Sequence, residues 1–303
     1  MRESFKFTDK YSKIIQGYKW TVDNPKAVVY IAHGMAEGCL RYEEFANVLN
    51  ANGYSVYSHD HRGHGKTDET ENRGYIADNE GFEVLAENIS ELIDFARSEN
   101  EGLEIVLFAH SMGSFASLRF LELYGEKIDR VILSGTNGKL KASSHIGAAI
   151  AKAEIELFGR KHTSKLMDKL IFGDYNKRFK PLRTNFDWIC ANEEAVDEYI
   201  KNPDCGFVCS ASFYYDLIRG INRLHKETEF NKIKKDTKFF IFSGSMDPVG
   251  EYGKGLIGLT EKLKKYGVEN VEYKLYKDGR HEMLNEKNKI EVMNDVVEFL
   301  ERT

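Results

Sequence analysis

Three residues of the chain have the chemistry of an acyl-transfer centre: Ser111 in "VLFAHSMGSFAS", Asp247 in "SMDPVG" and His281 in "KDGRHEML". A serine hydroxyl is a poor nucleophile until a base takes its proton, and that base needs an acid to fix its tautomer and stabilise its charged form. Ser111, Asp247 and His281 follow one another as nucleophile, acid and base, the order expected when each sits after a successive strand of one parallel sheet. Ser111 stands directly between an apolar run and a helical pattern, so it must occupy a tight strand-to-helix turn. Ala109 and Gly113 leave room for the backbone there. Capping that helix is the other role open to Ser111.

Rivals exist for the acid. Asp278 lies three residues before His281 and would need its loop to double back, and Glu282 is adjacent to the base, so Asp247 is preferred. A tetrahedral intermediate also needs donors aimed at its oxyanion. The backbone N–H of Met112, just after Ser111, is one candidate. Met35, in the loop "HGMAEG" that follows "AVVYIA", is the other. His33 in that loop and His59, His61 and His64 in "SHDHRGHGKTD" lack the spacing of a helical metal site and are expected to be structural. Cys205 and Cys209 have no second Cys or His pair at zinc spacing, so with Cys39 and Cys190 they are expected to be ordinary thiols. Neither metal nor organic cofactor is expected.

These residues must be held by a sheet. Strand patterns occur at Ile14 to Trp20, "AVVYIA", "YSVYS", "IVLFA", "RVILSG", "KFFIFSG" and "VEYKLY", with helical patterns between them, such as Tyr42 to Asn50. That alternation predicts a parallel sheet covered on both faces. It lapses between about Asn137 and Thr228, where "HIGAAIAKAEIELFG" and "FDWICANEEAVDEYI" both read as helical. A helical insertion between two strands is expected, dividing the chain into core (1–136), insertion (137–228) and core (229–303). In the first of those helices Ile146, Ala149, Ile150, Ala153 and Leu157 recur at helical spacing. That stripe is expected to pack the insertion onto the core, with part of it lining an acyl-chain tunnel above Ser111.

Composition narrows the partners. With 42% hydrophobic and 30% charged residues and a net charge of -5, the chain has no basic excess to suggest nucleic acid. The N-terminal "MRESFKFTDKYSKI" lacks a signal-peptide apolar core, and four cysteines suit a reducing compartment, so a cytoplasmic location is expected. Oligomeric state is not readable from the sequence.

The motifs "HGMAEGCLRY", "DHRGHGKTD", "AHSMGS", "SGSMDPV" and "GRHEML", in this order, resemble the α/β-hydrolase superfamily, and within it the monoacylglycerol lipase and lysophospholipase-like branch grouped with serine aminopeptidases. "NPDCGFVCSASFYYDL" resembles that branch's return segment from cap to core. Ala109 stands where the family usually has glycine. The resemblance implies an α/β-hydrolase fold, a helical cap over the site and ester hydrolysis on a monoacylglycerol, lysophospholipid or small acyl ester, with transient contact to lipid aggregates as a further expectation. An aminopeptidase is the alternative, with Glu193, Glu194, Asp197 and Glu198 holding the substrate amine. "HGMAEG" lacks the glycine-proline pair usual in such peptidases. A hydrolase-like binding protein is a third reading, but it predicts a missing catalytic residue, and none is missing.

Overall fold

The computed structural model describes residues 2–302. Eight strands form one sheet: β1 (Arg2–Thr8), β2 (Ile14–Trp20), β3 (Ala27–Ala32), β4 (Tyr54–His59), β5 (Ile105–His110), β6 (Arg130–Ser134), β7 (Lys238–Gly244) and β8 (Val271–Tyr276). Their spatial order is β1-β2-β4-β3-β5-β6-β7-β8. From β4 to β8 every pairing is parallel, whereas β1 pairs with β2, and β2 with β4, antiparallel. This is the mostly parallel sheet expected, six strands parallel and two antiparallel at one edge. β1 lay outside the strand patterns because "RESFKFT" is an edge strand in which only Phe5 and Phe7 pack partly against the core, beside charged residues that face out.

Ten helices flank or follow the strands: α1 (Glu43–Ala51), α2 (Gly81–Ser98), α3 (Met112–Tyr124), α4 (Ser144–Phe158), α5 (Lys165–Phe172), α6 (Glu193–Lys201), α7 (Ala211–Leu224), α8 (Glu227–Phe230), α9 (Lys254–Lys265) and α10 (Lys289–Glu301). Strands β3, β4 and β5 are buried throughout, and alternate side chains feed two cores. Val29, Ile31 and Phe108 join α1 and α10 on one face; Val28, Tyr30 and Leu107 join α2, α3, α7 and α9 on the other. All six parallel strands end at the same edge, so the loops after β3, β5, β7 and β8 meet there.

Helices α4 to α8 lie between β6 and β7, and two local expectations about this segment change. "FDWIC" (Phe186 to Cys190) is a turn, and helix begins only at Glu193. In α4 the apolar stripe faces outward: Ile146 is 66% and Leu157 74% exposed, Ala149 and Ala153 are exposed, and only Ile150 packs partly against the core. Ala151 is the one buried residue of α4, and a Cβ on Gly147 would lie 3.4 Å from Ile218 of α7. The helix packs through its small residues because they admit close approach to α7, a choice that spacing of large apolar residues does not reveal.

Candidate active site

β5 ends at His110 and α3 starts at Met112, so Ser111 alone makes the turn. Its backbone lies at φ 49° and ψ -120°, a strained conformation for a residue with a side chain. Neighbours hold it there: the Ser111 N–H donates to Ser134 O at 2.9 Å, and Ser114 Oγ donates to Ser111 O at 2.6 Å. Gly113 is obligatory, since a Cβ would sit 2.3 Å from the Ala32 carbonyl oxygen. The Ser111 side chain makes no capping bond to α3. Its Oγ lies instead 2.9 Å from His281 Nε2.

His281 reaches Ser111 from the loop after β8, and its Nδ1 lies 3.0 Å from Asp247 Oδ2. Asp247, fully buried after β7, also accepts from Ser243 Oγ at 2.6 Å and from the Val249 N–H at 2.8 Å. Asp278 is exposed, at φ 59°, with its own N–H on Ser245 Oγ, so it is not brought to the imidazole. Gly135 was not legible as a site residue. A Cβ there would lie 2.8 Å from His281 Cε1 and 2.9 Å from His110 Cε1, so glycine makes the space both rings occupy.

The loop after β3 is braced from several sides. Glu37 Oε1 accepts from the Gly34 N–H at 2.5 Å and from Tyr42 Oη at 2.7 Å. The Ala36 N–H donates to His64 Nε2 at 3.1 Å, while Ala36 O accepts from Tyr199 Oη at 3.0 Å and the Gly206 N–H at 2.9 Å. His33 Nδ1 donates to Gly34 O at 2.7 Å, and its Nε2 accepts from the His61 N–H of the loop after β4 at 2.9 Å. Among the described residues, no protein acceptor engages the N–H of Met35 or of Met112. Arg41 joins this loop to the His281 loop, pairing with Glu37 (3.1 Å) and with Glu282. Glu282 is thus engaged by Arg41, and Asp247 is the carboxylate that bonds the imidazole. No sequence spacing announced that bridge, since its two carboxylates are far apart in the chain.

Electrostatics separate His281 from the other imidazoles. Burial opposes its charged form, but the charge and hydrogen bond of Asp247, with Glu282 and Glu37 adding, raise its pKa above the ordinary value of 6.5. Burial drives His110 and His64 down to about 3, and His59 and His61 well below their usual range. Burial holds those four neutral, while the pKa of His281 moves in the opposite direction. Asp247 is held below the usual carboxylate range: burial works against this, and His281, Ser243 and the Val249 N–H overcome it. Among the described residues no group of three or more His, Cys, Asp or Glu is arranged to hold a metal, and the four cysteines are free thiols.

The inserted segment brings aromatic rings to this site. Trp188 lies with its ring centroid 5.3 Å from that of His281, stacked on Phe172 at 5.8 Å and edge-on to Tyr175 at 5.0 Å. "FDWICAN", read as helix, gave no sign of this. The acidic cluster of α6 is arranged differently: Glu193, Glu194 and Glu198 are exposed, and Asp197 pairs with Arg183 at 2.5 Å. Val196 and Tyr199 form the buried face of that helix.

A mostly parallel eight-stranded sheet, with a serine turn after β5 and its partners at the same edge, defines an α/β-hydrolase. A family profile described as serine aminopeptidase, S33 matches residues 23–288, and the chain belongs to that family. It is 25% identical over 262 residues to the monoglyceride lipase of Homo sapiens, covering 85% of this chain and 76% of that one. It is also 25% identical over 285 residues to the monoacylglycerol lipase of Mycolicibacterium smegmatis, covering 93% and 90%. A thermostable carboxyl esterase from Bacillus coagulans, solved with glycerol, superposes with a TM-score of 0.91 at 24% identity, over 99% of this chain and 97% of that one, a likeness of fold. No described helix is long and apolar enough to cross a membrane.

Proposed function

We propose that this chain is a serine ester hydrolase acting on monoacylglycerol-like or smaller acyl esters through an acyl-enzyme. One observation carries the reading: a single buried imidazole lies 2.9 Å from Ser111 Oγ and 3.0 Å from Asp247 Oδ2. Ser111 Oγ attacks the ester carbonyl carbon while its proton passes to His281 Nε2. The carbonyl oxygen, now negative, is received by the Met35 and Met112 N–H groups. The tetrahedral intermediate collapses as the C–O bond to the alcohol breaks and His281 Nε2 returns its proton to the leaving oxygen. Water then attacks the acyl carbonyl with His281 again as base, releasing the carboxylic acid and Ser111. Asp247 orients the imidazole and stabilises its charged form.

The named activities of the human and mycobacterial relatives support a glycerol-ester substrate. We read 137–228 as the cap that selects it, and transient contact with lipid aggregates would fit the apolar residues exposed on α4. The amine-holding role for Glu193, Glu194, Asp197 and Glu198 draws no support from their exposure or from the Asp197–Arg183 pair. A panel of p-nitrophenyl and monoacylglycerol esters of increasing acyl length, run beside aminoacyl anilides and with fluorophosphonate labelling, tests the proposal. Ester turnover with label on the peptide containing Ser111 is expected. Anilide turnover alone, or label elsewhere, overturns it.

A further inference from the structure

We infer that Trp188 determines leaving-group specificity: its ring is a fixed wall beside His281 that limits the bulk of the alcohol the enzyme can release. The inference rests on the ester hydrolase reading above.

His281 Nε2 must hand its proton to the leaving oxygen, so that oxygen comes within hydrogen-bond distance of the imidazole. Whatever the alcohol carries next to its oxygen then meets the groups flanking the ring. Trp188, with its centroid 5.3 Å from the imidazole, is such a group. It is held on every side. Phe172 stacks on it with an interplanar angle of 16°, Tyr175 stands edge-on, and the backbone N–H of Trp188 donates to Asn176 Oδ1 at 2.8 Å.

The backbone around Trp188 is also tied to the loop that carries the base. The Glu282 N–H donates to Ile189 O at 2.8 Å, and the Arg280 guanidinium donates to Cys190 O at 3.0 Å and to Asp187 O. Glu286 Oε1 accepts from the Ala191 N–H at 2.8 Å and from the Arg280 N–H at 2.9 Å. The backbone that carries the indole is thus fastened to the backbone that carries the imidazole. A flexible lid would yield to a large alcohol, whereas a wall so fastened excludes it, and exclusion by size in a tight site is worth ten- to a few-hundredfold in kcat/KM.

The test uses butyrate esters whose alcohols grow from methanol through glycerol to cyclohexanol and menthol, each rate normalised to alkaline hydrolysis. The readout is kcat/KM for the bulky ester divided by that for the methyl ester, within each variant. All members pass through the same butyryl-enzyme, so a merely structural loss lowers them together and leaves the ratio alone. Trp188→Ala is expected to raise the menthyl-to-methyl ratio at least tenfold over the wild type, and Trp188→Phe about threefold. If Trp188→Ala fails to fold, the Phe variant decides on the same ratio. A ratio within twofold of the wild type in a variant that still takes up fluorophosphonate overturns the inference, as does a change confined to acyl length. Absence of both ester turnover and labelling in the wild type would instead sink the ester hydrolase reading itself.

Discussion

Helices α3 and α4 are of similar length, yet they are built by different rules. Of the thirteen residues of α3, eleven are buried. Of the fifteen of α4, one is. Helix α3 carries the turn that presents Ser111, so its position is tied to β3, β5 and β6 by packing and by backbone bonds that no substitution can easily re-route. Helix α4 leans on α7 through Gly147 and Ala151 and leaves large apolar side chains in solvent. On the proposed reading, the stiff region would place the reacting groups, and the groups that select the substrate would come from the region that can change at little cost in stability. Trp188 is the instructive exception, an inserted residue fastened to the loop of His281.

The largest expected effect tests the stiff region. Ser111→Ala should reduce kcat by about 10⁴-fold or more and abolish fluorophosphonate labelling while the circular dichroism spectrum is retained. Asp247→Asn should lower kcat by a similar order, because the imidazole loses the partner that sets its tautomer. A variant of either kind with activity near that of the wild type would remove the residue from the mechanism.

Packing is the second way to break the comparison. Leu118 in α3 is fully buried. Leu118→Ala should cost about 2–5 kcal/mol in chemical unfolding. At the oxyanion loop, Met35→Pro deletes the proposed donor and should cost about 3 kcal/mol of transition-state stabilisation, whereas Met35→Ala should be mild. Circular dichroism of the proline variant separates a lost donor from a lost loop, and a fully active proline variant would dismiss Met35.

A pH profile sharpens the picture further. His281 must be neutral to accept the Ser111 proton, so kcat/KM should rise with pH through a pKa lying above 6.5. Asp247→Asn removes the charge that raises it and leaves the opposing effect of burial, so the acidic limb should move down in pH. Because the folded pKa is the raised one, the stabilisation from this pairing is complete below the unfolded value near 6.5 and fades as pH climbs through the folded value. An acidic limb below 6.5 in the wild type would contradict the coupling to Asp247. The smallest effect belongs to α4: Leu157→Ser, at a side chain 74% exposed, should change unfolding stability by no more than about 0.5 kcal/mol.

Much of the site could be read from residue order, because each of its members follows a strand whose apolar run is visible in one dimension. What stayed hidden depends on contacts between distant segments. Gly135 looks like any turn glycine until two histidine rings are placed against it. Arg41 looks like a surface arginine until Glu37 and Glu282 close around it. The turn at "FDWIC" carries residues compatible with a helix, and its bonds to Arg280, Glu282, Asn176 and Thr184 hold it otherwise.

By itself the sequence determined the alternation of strand and helix from β3 to β8, the turn at Ser111 and the order of Ser111, Asp247 and His281, since periodicity and small residues at a turn are local properties of the chain. The antiparallel edge at β1, the face by which α4 packs and the seating of Trp188 against His281 were decided only by the tertiary structure. Each is a choice among locally equivalent options, and the free energy that makes the choice comes from surfaces and partners the chain meets only once folded.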